Sequence, residues 1–325
     1  MTSLKNNPLM HANSQNAANG ETPAPVDVLA ATGVGFPVFS EKPLTTLHRA
    51  ARKKLGNRRL TLGILIFALA ALALIVVAGQ LVTPLAQVTD FAQKNLAPSL
   101  EHPFGTDWMG RDMFLRTLAG LSTSVLVGLL AAGCSSIIAL VLGVAAAIGG
   151  KKVDAVVTWL IDLLMGIPHI VLLILISYAL GKGFWGVTIG VALTHWANLA
   201  RVVRAEVLQC KESTFVAVAR KLGVSRLQIG LKHIIPYVFP QFIVGLILLF
   251  PHAILHEAAI TFLGFGLPPE QPAIGIILSE SMNYLISGMW WLAVFPGLAL
   301  IITVMLFDLA GSHLRKLVDP FSSQE

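Results

Sequence analysis

Two histidines one helical turn apart, His252 and His256, followed at once by Glu257, are the side chains of this sequence best placed for chemistry. Imidazoles at i and i+4 share one face of a helix and can hold a single metal ion, with a carboxylate as third ligand. Pore polarity and ordinary packing compete with that reading, and Pro251 distorts the turn on which the spacing depends. His169 and His195 belong to other apolar stretches and are candidates for the same cavity, although sequence alone does not make them converge. Asp162 and Glu257 are candidate pathway groups or structural hydrogen-bonding groups, whereas Asp308, near the end of the last apolar stretch, reads as a structural pairing group. Each needs a reason to be there, because an ionisable group at the centre of a spanning helix costs at least about 2.5 kcal/mol. Enzyme signatures do not accompany them. The histidines lack His-Glu-x-x-His spacing and no Gly-x-Ser-x-Gly elbow occurs, which disfavours an intramembrane metal-dependent hydrolase. Gly149 to Lys152 lacks the first glycine of a phosphate loop, Ala145 standing there, and no Ser or Thr follows the lysine.

The elements that must position these residues follow from composition. A mean hydropathy of +0.75, with 55% hydrophobic and 12% charged residues, is too apolar for a water-soluble chain of 325 residues. The chain is expected to be an all-α integral membrane protein. Leu60 to Val82 has only Thr61 and Gln80 as polar side chains and is long enough to cross a hydrocarbon core of about 30 Å. Further spans are expected at roughly 121 to 149, 153 to 180, 186 to 206, 237 to 263 and 289 to 310. Six transmembrane helices place both termini on one side. Of the 23 lysines and arginines, only Lys94, Arg111, Arg116 and Lys182 then fall in loops opposite the termini. Cytoplasmic loops retain basic residues, so both termini are expected in the cytosol. The same bias accounts for the net charge of +6 with membrane lipid, not nucleic acid, as the partner.

The expected division is a mostly disordered tail over 1–59 with a basic end, a six-span domain over 60–310, and a C-terminal tail over 311–325. No signal-peptide core precedes the first span, which reads as an uncleaved anchor. The segment Thr83 to Gly120, with Trp108 among charges, suits an interfacial helix or a lid, and Leu267 to Gly288 suits a re-entrant or surface helix. Cys134 and Cys210 are too far apart in this topology for a disulfide.

Between the fourth and fifth spans, about 207–236, lies a basic loop, KESTFVAVARKLGVSRLQIGLKHIIP. Phe215, Val218, Ala219 and Leu222 recur at helical spacing, and Gly223 suits a left-handed helix stop. Ser225 with Gln228 three residues on forms a capping box. A short helix, a tight turn and a second helix result.

This loop resembles the cytosolic loop of bacterial ABC-importer permeases, with the glycine at Gly223 and a proline thirteen residues later at Pro236. Ala217 stands where that family usually has Glu, and Val218 where it has Ala. His102 to Arg116 (HPFGTDWMGRDMFLR) is similar to the His-Pro-Leu-Gly-Thr-Asp and Gly-Arg-Asp signature of the dipeptide, oligopeptide and nickel branch, with Phe104 replacing Leu. Asp162 to Pro168, Ala197 to Glu212 and Glu257 to Gly266 also fit the branch, in order, over roughly residues 60 to 320. The resemblance implies the ABC importer type I permease fold, the C-type member of a permease pair, and no catalytic residue. It further implies a second homologous permease, two ATP-binding subunits or domains that carry ATP and Mg, and an extracytoplasmic substrate-binding protein. No cofactor is expected on this chain. Coupling to the ATPases falls to Ser213, Thr214, Phe215, Val218, Ala219, Leu222 and Gly223, and the implied cargo is short peptides or nickel and metal chelates. The expected location is the bacterial cytoplasmic (inner) membrane. An ATP-independent channel or scaffold is the alternative of a different class, against which the lever-like loop speaks.

Overall fold

A hydrocarbon environment offers no partner to a free backbone group, so an apolar chain of this kind closes its hydrogen bonds within helices. A computed structural model describes residues 44–318, with side chains for 58–318 apart from Arg226 and Leu227. The tails 1–43 and 319–325 lie outside the described residues, and with them most of the expected N-terminal tail. Ten α-helices occur in the described part: α1 (Leu44–Ala86), α2 (Met113–Ile148), α3 (Lys151–Gly166), α4 (His169–Ala179), α5 (Gly183–Lys211), α6 (Thr214–Lys221), α7 (Arg226–Ile229), α8 (Ile235–Phe262), α9 (Ile274–Leu285) and α10 (Trp291–Val318). No strand longer than the isolated Thr106–Asp112 bridge appears among the described residues. The chain is thus all-α, and helix begins at Leu44, ahead of the tail boundary expected at 59.

Length and composition mark four helices as able to cross a membrane: Arg58–Ala86, Met113–Ile148, Gly230–Phe262 and Trp291–Val318. The expected third span is not one continuous helix. It is the pair α3 and α4, bent by 96°, and counting that pair as one span gives five. The fourth expected span, 186 to 206, corresponds to α5, which is 29 residues long and is the one not marked. Thr188, Thr194, His195 and Asn198 lower its apolarity, and the helix can carry them because its neighbours enclose it. Val187, Val191, Ala200 and Val207 are fully buried. The helices at the edge do the reverse: Leu62, Ile66, Phe67 and Leu74 of α1 point outward, as lipid-facing residues do.

Small residues set the spacing at the centre. An added Cβ on Gly128 of α2 would come within 2.4 Å of Ile254 on α8, and one on Gly143 within 2.9 Å of the Ala200 carbonyl on α5. On α9, a Cβ at Gly275 would meet the Ala258 carbonyl of α8 at 2.4 Å. Close backbone approach of this kind supplies the packing where lipid removes a hydrophobic drive. Gln80 of α1 donates to the Ser122 hydroxyl of α2 at 3.0 Å, and that hydroxyl donates to the Val76 carbonyl at 2.8 Å. Between α3 and α5, Arg204 grips Asp154 with two bonds of 2.5 and 2.8 Å.

One end of the bundle is closed by backbone contacts between the α4–α5 and α8–α9 turns. Gly183 N–H donates to the Gly266 carbonyl at 3.0 Å, and the Ser177 hydroxyl to the Phe265 carbonyl at 3.1 Å. The surface helix expected within Leu267 to Gly288 is α9, packed through Ile274, Ile276 and Ile277.

The segment Thr83 to Gly120 is not an interfacial helix. Its ends belong to α1 and α2, and between them, over 87–112, it holds only a single 3-10 turn, Phe91–Gln93, followed by a loop organised around buried charge. Asp107 Oδ1 accepts from the Met109 and Arg111 backbone at 2.8 and 2.9 Å, and Oδ2 from Arg111 Nε at 2.7 Å and Arg116 Nη1 at 2.5 Å. Arg116 also reaches Glu280 of α9 at 3.0 Å. His102 bridges Asp112 and Gln93 at 2.7 and 2.9 Å, so nearly every polar residue of the HPFGTDWMGRD motif is spent on holding this loop.

These contacts separate two kinds of glycine. Gly275→Ala forces α9 off α8 and is expected to cost about 1–3 kcal/mol, the usual range for overpacking. Gly133→Ala meets nothing within 4 Å and is expected to be neutral. Thermal unfolding of the purified protein in detergent checks the pair, and equal melting temperatures would contradict the packing described.

Candidate functional site

The break between α3 and α4 is where site geometry begins. Pro168 lacks an N–H and disfavours helical backbone at the residue before it, and Ile167 is accordingly extended at φ −94°, ψ 135°. The chain turns by 96° and restarts with His169 as the first residue of α4. His195 lies mid-way along α5, and His256 lies in the second half of α8.

Three imidazoles from three helices therefore meet. The ring centroids of His169 are 4.6 Å from both His195 and His256, and the latter two are 4.9 Å apart. One nitrogen from each ring lies within 4.8 Å of the others. His195 Nδ1 is 3.0 Å from the Val191 carbonyl and His256 Nδ1 is 2.7 Å from the His252 carbonyl. A carbonyl can only accept, so both Nδ1 atoms carry the proton and both Nε2 atoms keep a lone pair. His195 Nε2 is 3.3 Å from that same His256 Nδ1, whose N–H is therefore shared between this lone pair and the His252 carbonyl. His169 Nε2 is shut off from solvent and has no hydrogen-bond partner.

The ligand set expected from sequence is rearranged. His256 takes part, but His252 is exposed and contributes its backbone carbonyl to the cluster. Glu257 is fully buried between α8 and α2, where it accepts from the Thr261 hydroxyl at 2.8 Å and contacts Ser124. A residue adjacent in sequence points about 100° away around a helix, and that rotation carries Glu257 from the histidines into the helix interface. It joins neither a metal set with His252 and His256 nor an open pathway surface. Asp162 is exposed on α3 with Arg201 at 3.3 Å, and Asp308 is exposed on α10. Sequence reading passed over Asp154, whose bidentate partner Arg204 makes it the stronger acidic contact of α3. Its place in the first turn, where a carboxylate suits the helix dipole, was the available signal.

At the opposite end from the Asp107 loop, α6 is an amphipathic helix with two apolar sides. Val216 is fully buried and Ala219 packs beside it against the core. Phe215, Val218 and Leu222 are 45%, 50% and 77% exposed. Ala219 thus belongs to the anchoring side, apart from the other three. Gly223 ends the helix at φ +79°, with Val224 N–H donating to the Ala219 carbonyl at 3.1 Å. Ser225 accepts from Gln228 N–H at 3.3 Å. The helix after the turn runs through α7 into a π turn, Gly230–Ile234, which joins α8 without a break. Widening of this kind gives room to the Pro236 ring, which has no N–H to offer the preceding turn. Lys211 Nζ holds the Ala147 carbonyl at 2.6 Å, tying the start of the loop to the end of α2.

Comparison with known proteins agrees with these features. Residues 139–323 match the family model described as binding-protein-dependent transport system inner membrane component. A Brucella abortus protein named as a peptide transport system permease is 33% identical over 294 residues, covering 90% of this chain and 97% of that one. The dipeptide transport system permease protein DppC of Bacillus subtilis is 30% identical, covering 86% and 88%. The oligopeptide transport system permease protein OppC of the same organism is 31% identical, covering 87% and 92%. Among solved structures, an inward-facing form of the MetNI methionine ABC transporter aligns with a TM-score of 0.54 at 17% identity, over 64% of this chain and 98% of that chain. That likeness concerns the fold. The family match, the length of the shared sequence and the helical membrane architecture together make this chain a member of the binding-protein-dependent transport system inner membrane components, the permease subunits of ABC importers.

Proposed function

We propose that this chain is one of two homologous permeases in a bacterial importer of short peptides, driven by two ATP-binding subunits or domains and fed by an extracytoplasmic binding protein. The observation that carries the coupling role is the exposed face of α6. Phe215, Val218 and Leu222 are large apolar groups on a basic loop outside the apolar spans, so lipid does not cover them. Val216 and Ala219 fix the helix from behind. A helix anchored on one side and apolar on the other suits a cleft on an ATPase surface, with Ser213, Thr214 and Gly223 setting its two ends. ATP and Mg would be held by those partners. The cargo class is the one in the relatives' names, and the clustered imidazoles favour nickel or a metal chelate as a second reading.

Two substitutions test the coupling. Phe215→Asp places a charge on the contact face, and Gly223→Val forces a β-branched residue into a left-handed conformation at a cost of about 1–2 kcal/mol. Both are expected to lower uptake at least tenfold in the reconstituted importer while the chain still inserts. Unchanged uptake in both would remove α6 from the coupling role. Ala217→Glu, on the exposed side, is expected to be tolerated.

The proposed orientation puts both termini and α6 in the cytosol and the Asp107 loop outside. Cys210 is buried and so does not report on sidedness, and Cys134 is exposed within a span. On a background lacking both, cysteines at the exposed positions Ser99 and Gln271 are expected to react with an impermeant maleimide in intact cells. A cysteine at Lys221 is expected to react only after permeabilisation. The reverse pattern would invert the orientation.

A further inference from the structure

We propose that His169, His195 and His256 form a binding site for a divalent transition-metal ion inside the membrane domain, with one coordination position left open. The site does not require the ion to be the transported cargo. Three polar rings gathered from three helices of a spanning domain are costly as packing, and such groups inside a membrane point to function. Three features are those of a ligand set. Each ring offers one nitrogen within 4.8 Å of the other two. Tetrahedral coordination at bonds of about 2.0–2.1 Å brings nitrogens to about 3.4 Å apart, so side-chain rotation by roughly 1 Å completes the geometry.

The second feature is tautomer control. Metal-binding histidines donate their remaining N–H to a carbonyl or carboxylate, which fixes the ring and directs the lone pair at the ion. His195 does so to Val191 at 3.0 Å, and His256 to His252 at 2.7 Å, the longer 3.3 Å approach of His256 Nδ1 to His195 Nε2 being the contact an ion would replace. The third is the orphaned nitrogen of His169. A buried ring nitrogen without a partner is unfavourable, and an ion at the centre of the triangle removes the deficit. Neutral imidazoles suit zinc, nickel, copper and cobalt and disfavour magnesium and calcium. No carboxylate enters the set: Glu257 lies in the α2–α8 interface, its Oε1 bonded to Thr261. Three rings leave the fourth position of a tetrahedral ion to water or to another donor group.

The test uses the complete importer, purified without a polyhistidine tag, and cobalt and zinc as probes. Cobalt is expected to give the strong visible absorption of a four-coordinate, nitrogen-ligated ion with one ion per copy of this chain, and zinc is expected to displace it. Each of His169→Gln, His195→Gln and His256→Gln is expected to weaken cobalt binding at least tenfold, and the triple variant to abolish it. His252→Gln and His102→Gln are expected to leave it unchanged. The parent protein alone is decisive if a variant fails to assemble: a weak six-coordinate cobalt spectrum, or no saturable binding up to about 100 μM, overturns the site. So does undiminished binding by an assembled triple variant. Peptide uptake is scored separately, and its absence would count against the cargo assignment without touching the metal site.

Discussion

Every departure from helix in this domain is governed by one constraint, that a backbone polar group in hydrocarbon must find its partner within the protein. Where α4 gives way to α5, the Lys182 and Gly183 amides are taken up by Ser177 and Gly266. Where α7 gives way to α8, the i→i−5 bond from Ile235 N–H to the Gly230 carbonyl keeps the ladder closed through the π turn. The α3–α4 break has a different solution, since Pro168 brings no N–H and its carbonyl accepts from Leu172 at 3.1 Å. Interruptions thus occur where a proline removes the donor or a second turn replaces the acceptor.

The same constraint sorts the polar side chains. Ser122, Thr117, Thr188 and Thr303 return their hydroxyls to carbonyls of their own or a neighbouring helix. Glu257 is met by Thr261. These bonds stabilise helix contacts. Against that background His169 Nε2 stands out in the triangle, because the Nδ1 protons of His195 and His256 have carbonyl acceptors and this buried nitrogen has no partner.

Much of the architecture was legible in the residues. The long apolar runs fixed the membrane class, and the spacing of Phe215, Val218 and Leu222 with Gly223 fixed the short helix and its stop. What the sequence left hidden were quantities decided between elements. Residues 153 to 180 read as one apolar span because hydropathy is blind to the direction change that Pro168 imposes. The stretch around Trp108 read as an interfacial helix or a lid because Asp107, Arg111 and Arg116 look like solvated charges until Glu280, more than 160 positions away, supplies the fourth partner. In the histidine region, the i, i+4 rule paired His252 with His256 along one helix. The observed partners come from α4 and α5, and no local rule reaches across three helices.

The loop helix and the histidine triangle are connected through the chain in a specific way. One end of α6 continues, across the Glu212–Ser213 corner, from α5, which carries His195; the other continues through α7 and the π turn into α8, which carries His256. Displacing α6 relative to the bundle therefore acts on the two helices whose imidazoles stand 3.3 Å apart. His169 is not on either arm, being held by the α3–α4 break. Any motion that shifts α5 against α8 changes the triangle at one edge while its third corner stays with α4. Under the proposed coupling, a contact made with α6 at one end of the membrane domain is thereby linked through the chain to polar groups within it, with the Gly223 turn and the π turn as the joints on the α8 side of that route.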